Sequence, residues 1–144
     1  MAITLPVPVT AWQAFPGEPG KVATARAWAL ATVPLPLDHP RAADLATVVS
    51  ELATNALRHS MSGAPGGRYC LQVELDPDST AESGSLALTC IDMGPGAGLP
   101  DDREAVESGR GLVVIRRLVD DYSATQTPTS REVRCRLSWT GGVA

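Results

Sequence analysis

Aromatic side chains are scarce, at 4% of the chain: three Trp, two Tyr and one Phe. A core must therefore be built from Val, Leu, Ile and Ala, and the 44% hydrophobic content supplies them. At 144 residues the chain has the length of one ordinary domain and can bury such a core without a disulfide or metal staple. Lysine is nearly absent: Lys21 stands alone against eleven arginines. The net charge of −4 and the pI of about 5.1 argue against direct nucleic-acid binding, which needs a basic face. Cysteine is limited to Cys70, Cys90 and Cys135, with no metal-ligand spacing between them. Each lies in an apolar, strand-like run and is expected to be a reduced thiol packed as a small hydrophobe. No apolar run comes near the roughly 20 residues that span a bilayer. Residues 1–10 also lack the basic and continuous apolar regions of a signal peptide. The expectation is a cytoplasmic protein with no membrane contact.

Pro6 and Pro8 make residues 1–9 an expected loose arm, followed by a single domain over residues 10–144. Residues 10–15 alternate and predict an edge strand. Residues 18–32 read as a helix with Pro19 in its first turn, and three prolines then bar helix until about residue 41. Residues 41–60 carry the strongest helical pattern. Asp38 or His39 can cap it, Pro40 suits its first position, and Leu45, Val48, Val49, Leu52 and Ala56 form one apolar stripe. Residues 68–75 and 85–92 predict an antiparallel strand pair, and 122–127 and 133–139 a second pair around a turn. Between them lie a long loop over 93–108 and an apolar helix over 111–119 that is expected to be buried all round. This order predicts an α+β fold, a two-layer α/β sandwich in which helices cover one face of a mostly antiparallel sheet.

Three short stretches can carry chemistry. Glu51 and Asn55 are four apart on the long helix and so neighbours on its surface, at the flank of the apolar stripe. The Asn oxygen is a hard ligand for Mg²⁺, and the Glu can take a proton from a hydroxyl or water attacking a phosphate. Such pairs also occur on any solvated helix. Asp92 ends an apolar strand that turns at once into Gly94 and Gly96. A carboxylate there can accept a hydrogen bond from an exocyclic amine such as adenine's, or the stretch is a plain turn. Gly109, Arg110, Gly111 and Leu112 open the last helix, where unpaired N–H groups can hold an anion, or where glycine simply eases the chain into the helix. The stretch is neither a Walker motif nor a dinucleotide fingerprint.

Taken in order, these stretches resemble the boxes of the GHKL, or Bergerat-fold, ATP-binding superfamily. Glu51-Leu52-Ala53-Thr54-Asn55-Ala56 matches its N-box, Asp92-Met93-Gly94-Pro95-Gly96 its first glycine box and Gly109-Arg110-Gly111-Leu112 its second. Residues 97–108 would be the ATP lid. The short chain and residues 51–60 are most similar to the stand-alone anti-sigma-factor serine/threonine kinases.

The resemblance implies ATP and Mg²⁺ as cofactors. Asn55 would bind the metal, Glu51 would be the general base and Asp92 would take the adenine amine. Gly94 and Gly96 would line the base, and Gly109, Arg110 and Gly111 the phosphates, with Leu112 completing the box. Arg58 and His59 stand one turn beyond, at the helix end. The resemblance also implies a sigma factor and an antagonist protein as partners, and a homodimer. One departure stands out: where the family offers a small hydroxyl residue beside the Asp, this chain reads Ser130-Arg131-Glu132-Val133, with Glu132 at about that position. Either the register is shifted, or Thr129 or Ser130 substitutes. A Glu132 in the pocket would weaken ATP binding and favour a non-catalytic docking module, and an ATP-hydrolysing domain is the other alternative.

Overall fold

A computed structural model describes residues 9–96 and 110–140. The strands are β1 (Val9–Pro16), β2 (Arg68–Leu75), β3 (Gly84–Asp92), β4 (Asp121–Thr127) and β5 (Ser130–Trp139), and the α-helices are α1 (Val22–Ala31), α2 (Pro40–His59) and α3 (Arg110–Leu118). The strands form one sheet in the order β1-β2-β3-β5-β4, and every pairing is antiparallel. The expected α+β fold is observed, with β1 at an edge. β5 enters between β3 and β4, so the last hairpin is laid against the centre of the sheet.

Period-two alternation decides which face is covered. Tyr69, Leu71 and Val73 of β2, Leu86, Leu88 and Cys90 of β3, and Val133, Cys135, Leu137 and Trp139 of β5 are buried with the α2 stripe Ala42, Leu45, Val48, Val49, Leu52, Ala53 and Ala56. On the other face the long side chains of Gln72, Glu74, Arg134 and Arg136 flank the small Ala87 and Thr89, which they shade from solvent. The few aromatics concentrate at one end, where Phe15 stacks on Tyr69 and meets Trp28 of α1 edge-on, both at 5.7 Å between centroids. Burial pushes the Cys135 thiol up to about 12 and also raises that of Cys90, so both are protonated apolar filler, as expected. Cys70 is half-buried.

α2 starts where its cap dictates. His39 Nδ1 accepts the Arg41 N–H at 3.0 Å and Pro40 takes the first turn. At its far end Ser60 Oγ donates to the Ala56 carbonyl at 2.6 Å and accepts the Ser62 N–H at 3.0 Å, turning the chain out of the helix. Most boundaries fall within a residue or two of expectation, and the larger differences have local causes. α1 begins only at Val22, after a 3-10 turn over Pro19–Lys21, and β1 already includes Val9. β5 starts at Ser130 rather than 133, because pairing with β3 continues through polar Arg131 and Glu132. α3 is not buried all round: Ile115 is fully buried, whereas Val113 is half-exposed and Arg116 and Arg117 face solvent. Two adjacent arginines cannot enter an apolar contact, so only one face of α3 packs against the core.

Two contacts fix the walls around the space above β3 and β5. Arg41, in the first turn of α2, bonds the Leu118 carbonyl at the end of α3, the Ser138 carbonyl of β5 at 2.9 Å and the Asp120 carboxylate at 3.1 and 3.2 Å. Asp120 in turn accepts the Ser138 N–H at 2.6 Å and its hydroxyl at 2.8 Å. Beyond β3, the loop over 93–96 is held from both sides. The Met61 N–H donates to the Gly94 carbonyl at 2.7 Å, the Met93 N–H to Ser62 Oγ at 2.9 Å and the Gly96 N–H to the Pro128 carbonyl at 2.9 Å. Gly94 has φ +67°, and a Cβ there would lie 2.6 Å from the Ser130 nitrogen and 2.8 Å from the Pro128 oxygen.

Two outcomes follow. Gly94→Ala combines a left-handed backbone with a backbone clash, and is expected to lower stability by about 1–3 kcal/mol, read as a lower urea midpoint. Partial burial works upward on the Asp120 carboxyl, but the Ser138 bonds and the Arg41 guanidinium outweigh it and hold the group below the usual carboxylate range. Its contribution to stability is therefore complete above the unfolded pKa of about 3.9 and is lost as pH falls through the lower folded value. The wild-type advantage in urea midpoint over Asp120→Asn is expected at pH 6 and should shrink steadily below about pH 4. An advantage that persists undiminished at pH 2.5 would contradict this.

Candidate functional site

The apolar stripe sets the rotation of α2 on the sheet and leaves Glu51 and Asn55 half-buried on its flank. Leu52, between them, is buried against the sheet. Asp92 is the last residue of β3 and its side chain is only 3% exposed. Asn55 and Asp92, 37 positions apart in sequence, both line one cavity of about 510 Å³. Leu52, Cys90 and Val133 form its apolar floor, and α3 and β4 close the opposite side with Arg116, Tyr122 and residues 123–126. That volume lies within the range of small-molecule sites, and the mix of apolar floor and few polar groups is their usual lining.

The other expected residues fall as follows. Glu51 is one helical turn from Asn55 and is not part of the cavity wall. Gly94 and Gly96, with φ of +67° and +81°, form the loop packed between the exit of α2 and the β4–β5 turn, also outside the wall. Arg110, Gly111 and Leu112 occupy the first turn of α3, where N–H groups have no acceptor inside the helix. Gly109 and the expected lid lie outside the described residues.

Glu132 does not enter the cavity. It pairs with Ile91 and is exposed on the outer face, because Val133, Cys135 and Leu137 fix the inward phase of β5. The inward residue opposite Asp92 is Arg131. Its Nε donates to Asp92 Oδ2 at 2.8 Å and its Nη2 lies 2.7 Å from the same oxygen. Nη2 also donates to the main-chain carbonyl of Asn55 at 3.2 Å. Asp92 Oδ1 accepts the Gly94 N–H at 2.8 Å. The position beside the Asp is thus held by a cation and not by a hydroxyl. The same alternation, extended back from Val133, is the signal in the sequence that points Arg131 inward.

Arg116 and Tyr122 also escape notice in the sequence, and Tyr122 reaches the cavity only because β5 separates β3 from β4. The Arg116 guanidinium carbon lies 5.2 Å from the centre of the Tyr122 ring, within reach of a cation–π contact. Burial raises the Tyr122 hydroxyl above its ordinary value, so this wall carries the arginine charge and no tyrosinate. Among the described residues no three His, Cys, Asp or Glu side chains come together as a metal site, and no helix is long and apolar enough to cross a membrane.

A family model described as a histidine kinase-like ATPase domain matches residues 15–137. Among curated proteins none matches the chain. The matched span runs from the end of β1 into β5 and takes in both ends of the cavity, and the chain belongs to the histidine kinase-like ATPase domain family.

Proposed function

We propose that the chain binds Mg-ATP in the cavity between α2, α3 and the sheet, and transfers the γ-phosphate to a serine or threonine of a small antagonist protein. Membership of an ATPase-domain family supports the nucleotide. The observation that carries the reading is the convergence of Asn55 and Asp92 on one cavity of nucleotide size. The kinase step, the antagonist and a sequestered sigma factor rest on the resemblance of residues 51–60 and the short chain to anti-sigma-factor kinases. Glu132 lies outside the cavity, but Arg131 takes the place of the hydroxyl beside Asp92, so the alternative of a non-catalytic docking module keeps its motivation and is decided by the transfer assay below.

The donor set fits a metal that arrives with its nucleotide. Asn55 offers one hard oxygen at the cavity wall, and no all-protein cage exists among the described residues. Magnesium of this kind takes one or two protein ligands and completes its shell from phosphate and water. When bound, it would supply charge neutralisation for the phosphates. Glu51, one turn from Asn55 and next to the wall, would accept the proton of the acceptor hydroxyl as that oxygen bonds phosphorus and the ADP oxygen leaves. The first-turn N–H groups of Arg110, Gly111 and Leu112 would face phosphate oxygens, together with Gly109. Asp92 and Arg131 mark the base end, next to the loop that Gly94 and Gly96 shape.

Two variants separate binding from chemistry. Asn55→Ala is expected to weaken Mg-ATP binding at least about ten-fold by calorimetry, roughly 1.4 kcal/mol. Glu51→Ala should bind Mg-ATP within about three-fold of the wild type yet lose about 100-fold or more in transfer of labelled phosphate to an antagonist. Undiminished binding by Asn55→Ala would remove the metal from α2. Steady phosphate release by the wild type without any protein acceptor would replace the kinase by an ATP hydrolase.

A further inference from the structure

We propose that Arg131 masks the Asp92 carboxylate, so that the base end of the cavity accepts purine nucleoside triphosphates without selecting for the exocyclic amine of adenine. The inference rests on the cavity being a nucleotide site. It concerns one atom, Asp92 Oδ2, and what already occupies it.

The masking group is fixed by the sheet. Nine consecutive rungs join β3 to β5, from Gly84 opposite Trp139 to Asp92 opposite Arg131. A slip of one residue would turn Val133, Cys135 and Leu137 out of the core, so Arg131 cannot move along the strand. Its side chain is 11% exposed and is held at two points, by Asp92 Oδ2 and by the Asn55 carbonyl of α2. Leaving Asp92 would also mean leaving α2.

Competition for the oxygen favours the arginine. A carboxylate oxygen offers two lone-pair directions, and two guanidinium nitrogens approach Oδ2 at 2.7 and 2.8 Å. Oδ1 receives the Gly94 N–H, which closes the turn after β3, so these bonds take three of the carboxylate's about four acceptor directions and the masking falls on Oδ2. Bonds between an ionised donor and an ionised acceptor are about twice as strong as those between neutral partners. An adenine amine is a neutral donor. Displacing Arg131 would also strand a guanidinium against Leu52, Cys90 and Val133, the apolar floor of the same cavity. The purine ring can still pack on that floor. Such packing reads the shape of the ring and not the group at its 6-position.

The test compares Mg-ATP with Mg-purine riboside triphosphate, which differs only by hydrogen in place of the amine. For the wild type the two dissociation constants are expected within about three-fold, far below the discrimination of an amine bonded to a charged group. Arg131→Thr uncovers the carboxylate and should favour ATP by at least about ten-fold. Removing one partner of a buried ion pair can unfold a chain, so the variant is read only where its thermal transition stays cooperative, and the wild-type ratio decides without it. A wild-type preference for ATP of ten-fold or more overturns the masking and leaves the nucleotide site intact. So does an unchanged ratio in a folded Arg131→Thr. Failure of the wild type to bind either nucleotide overturns the nucleotide site itself, and the masking with it.

Discussion

Everything in the cleft follows from the burial of the α2 stripe on the middle of the sheet. Leu45, Val48, Val49 and Leu52 are at most 2% exposed, and together they fix both the height and the rotation of the helix. A helix so anchored presents its flank in one direction only. Asn55, one turn beyond the Glu51 position, then meets the end of β3 across the cavity, while Ala53 and Ala56 stay small enough for the sheet to approach. The Arg41 contacts add the second constraint by tying the first turn of α2 to the last turn of α3. The cavity is the space left between two helices whose separation is set by hydrogen bonds and whose floor is set by strand order.

The Asp92–Arg131 charge pair is heavily buried, at 3% and 11% side-chain exposure. Desolvating two ions is expensive, and such a pair breaks even only when further hydrogen bonds satisfy it. Here the Gly94 N–H and the Asn55 carbonyl supply them. The pair therefore connects three elements that border the cavity: the end of β3, the start of β5 and the Asn55 turn of α2. A hydroxyl in place of Arg131 would bond Asp92 but could not also reach α2.

Much of this was legible in the sequence, and the gaps have physical causes. The long helix declared itself through Pro40, a capping His39 and a stripe at helical spacing, because those are local requirements. The Asp92-to-Gly96 turn was equally plain, since glycines at φ +67° and +81° punctuate the end of an apolar strand. The beginning of β5 was not. Arg131 and Glu132 lie before the strand expected over 133–139, and only pairing with β3 holds them extended. The residue beside Asp92 is Arg131, one place before Glu132, which is the shifted register that the resemblance left open. The amphipathic character of α3 was obscured by its apolar start, and the place of Tyr122 at the cavity wall depends on β5 lying between β3 and β4, which no local pattern encodes.

Net charge is a poor guide to what the cavity can hold. The chain carries −4 overall, yet the described wall has two arginines, Arg116 and Arg131, against the single carboxylate of Asp92. At physiological ionic strength charges are screened over about 8 Å, so acidic side chains on the outer surface do little to cancel that local excess. Arg131 is already neutralised by Asp92, and Arg116 rests near the Tyr122 ring at the other wall. The positive charge of the wall is thereby displaced from the base end toward Arg116. On the proposed nucleotide reading, an uncharged ring would lie over Leu52 and Val133 and a polyanionic tail would extend toward Arg116. The same asymmetry opposes a compact anion at the base end, where the one available cation is already paired with Asp92 and the floor is apolar.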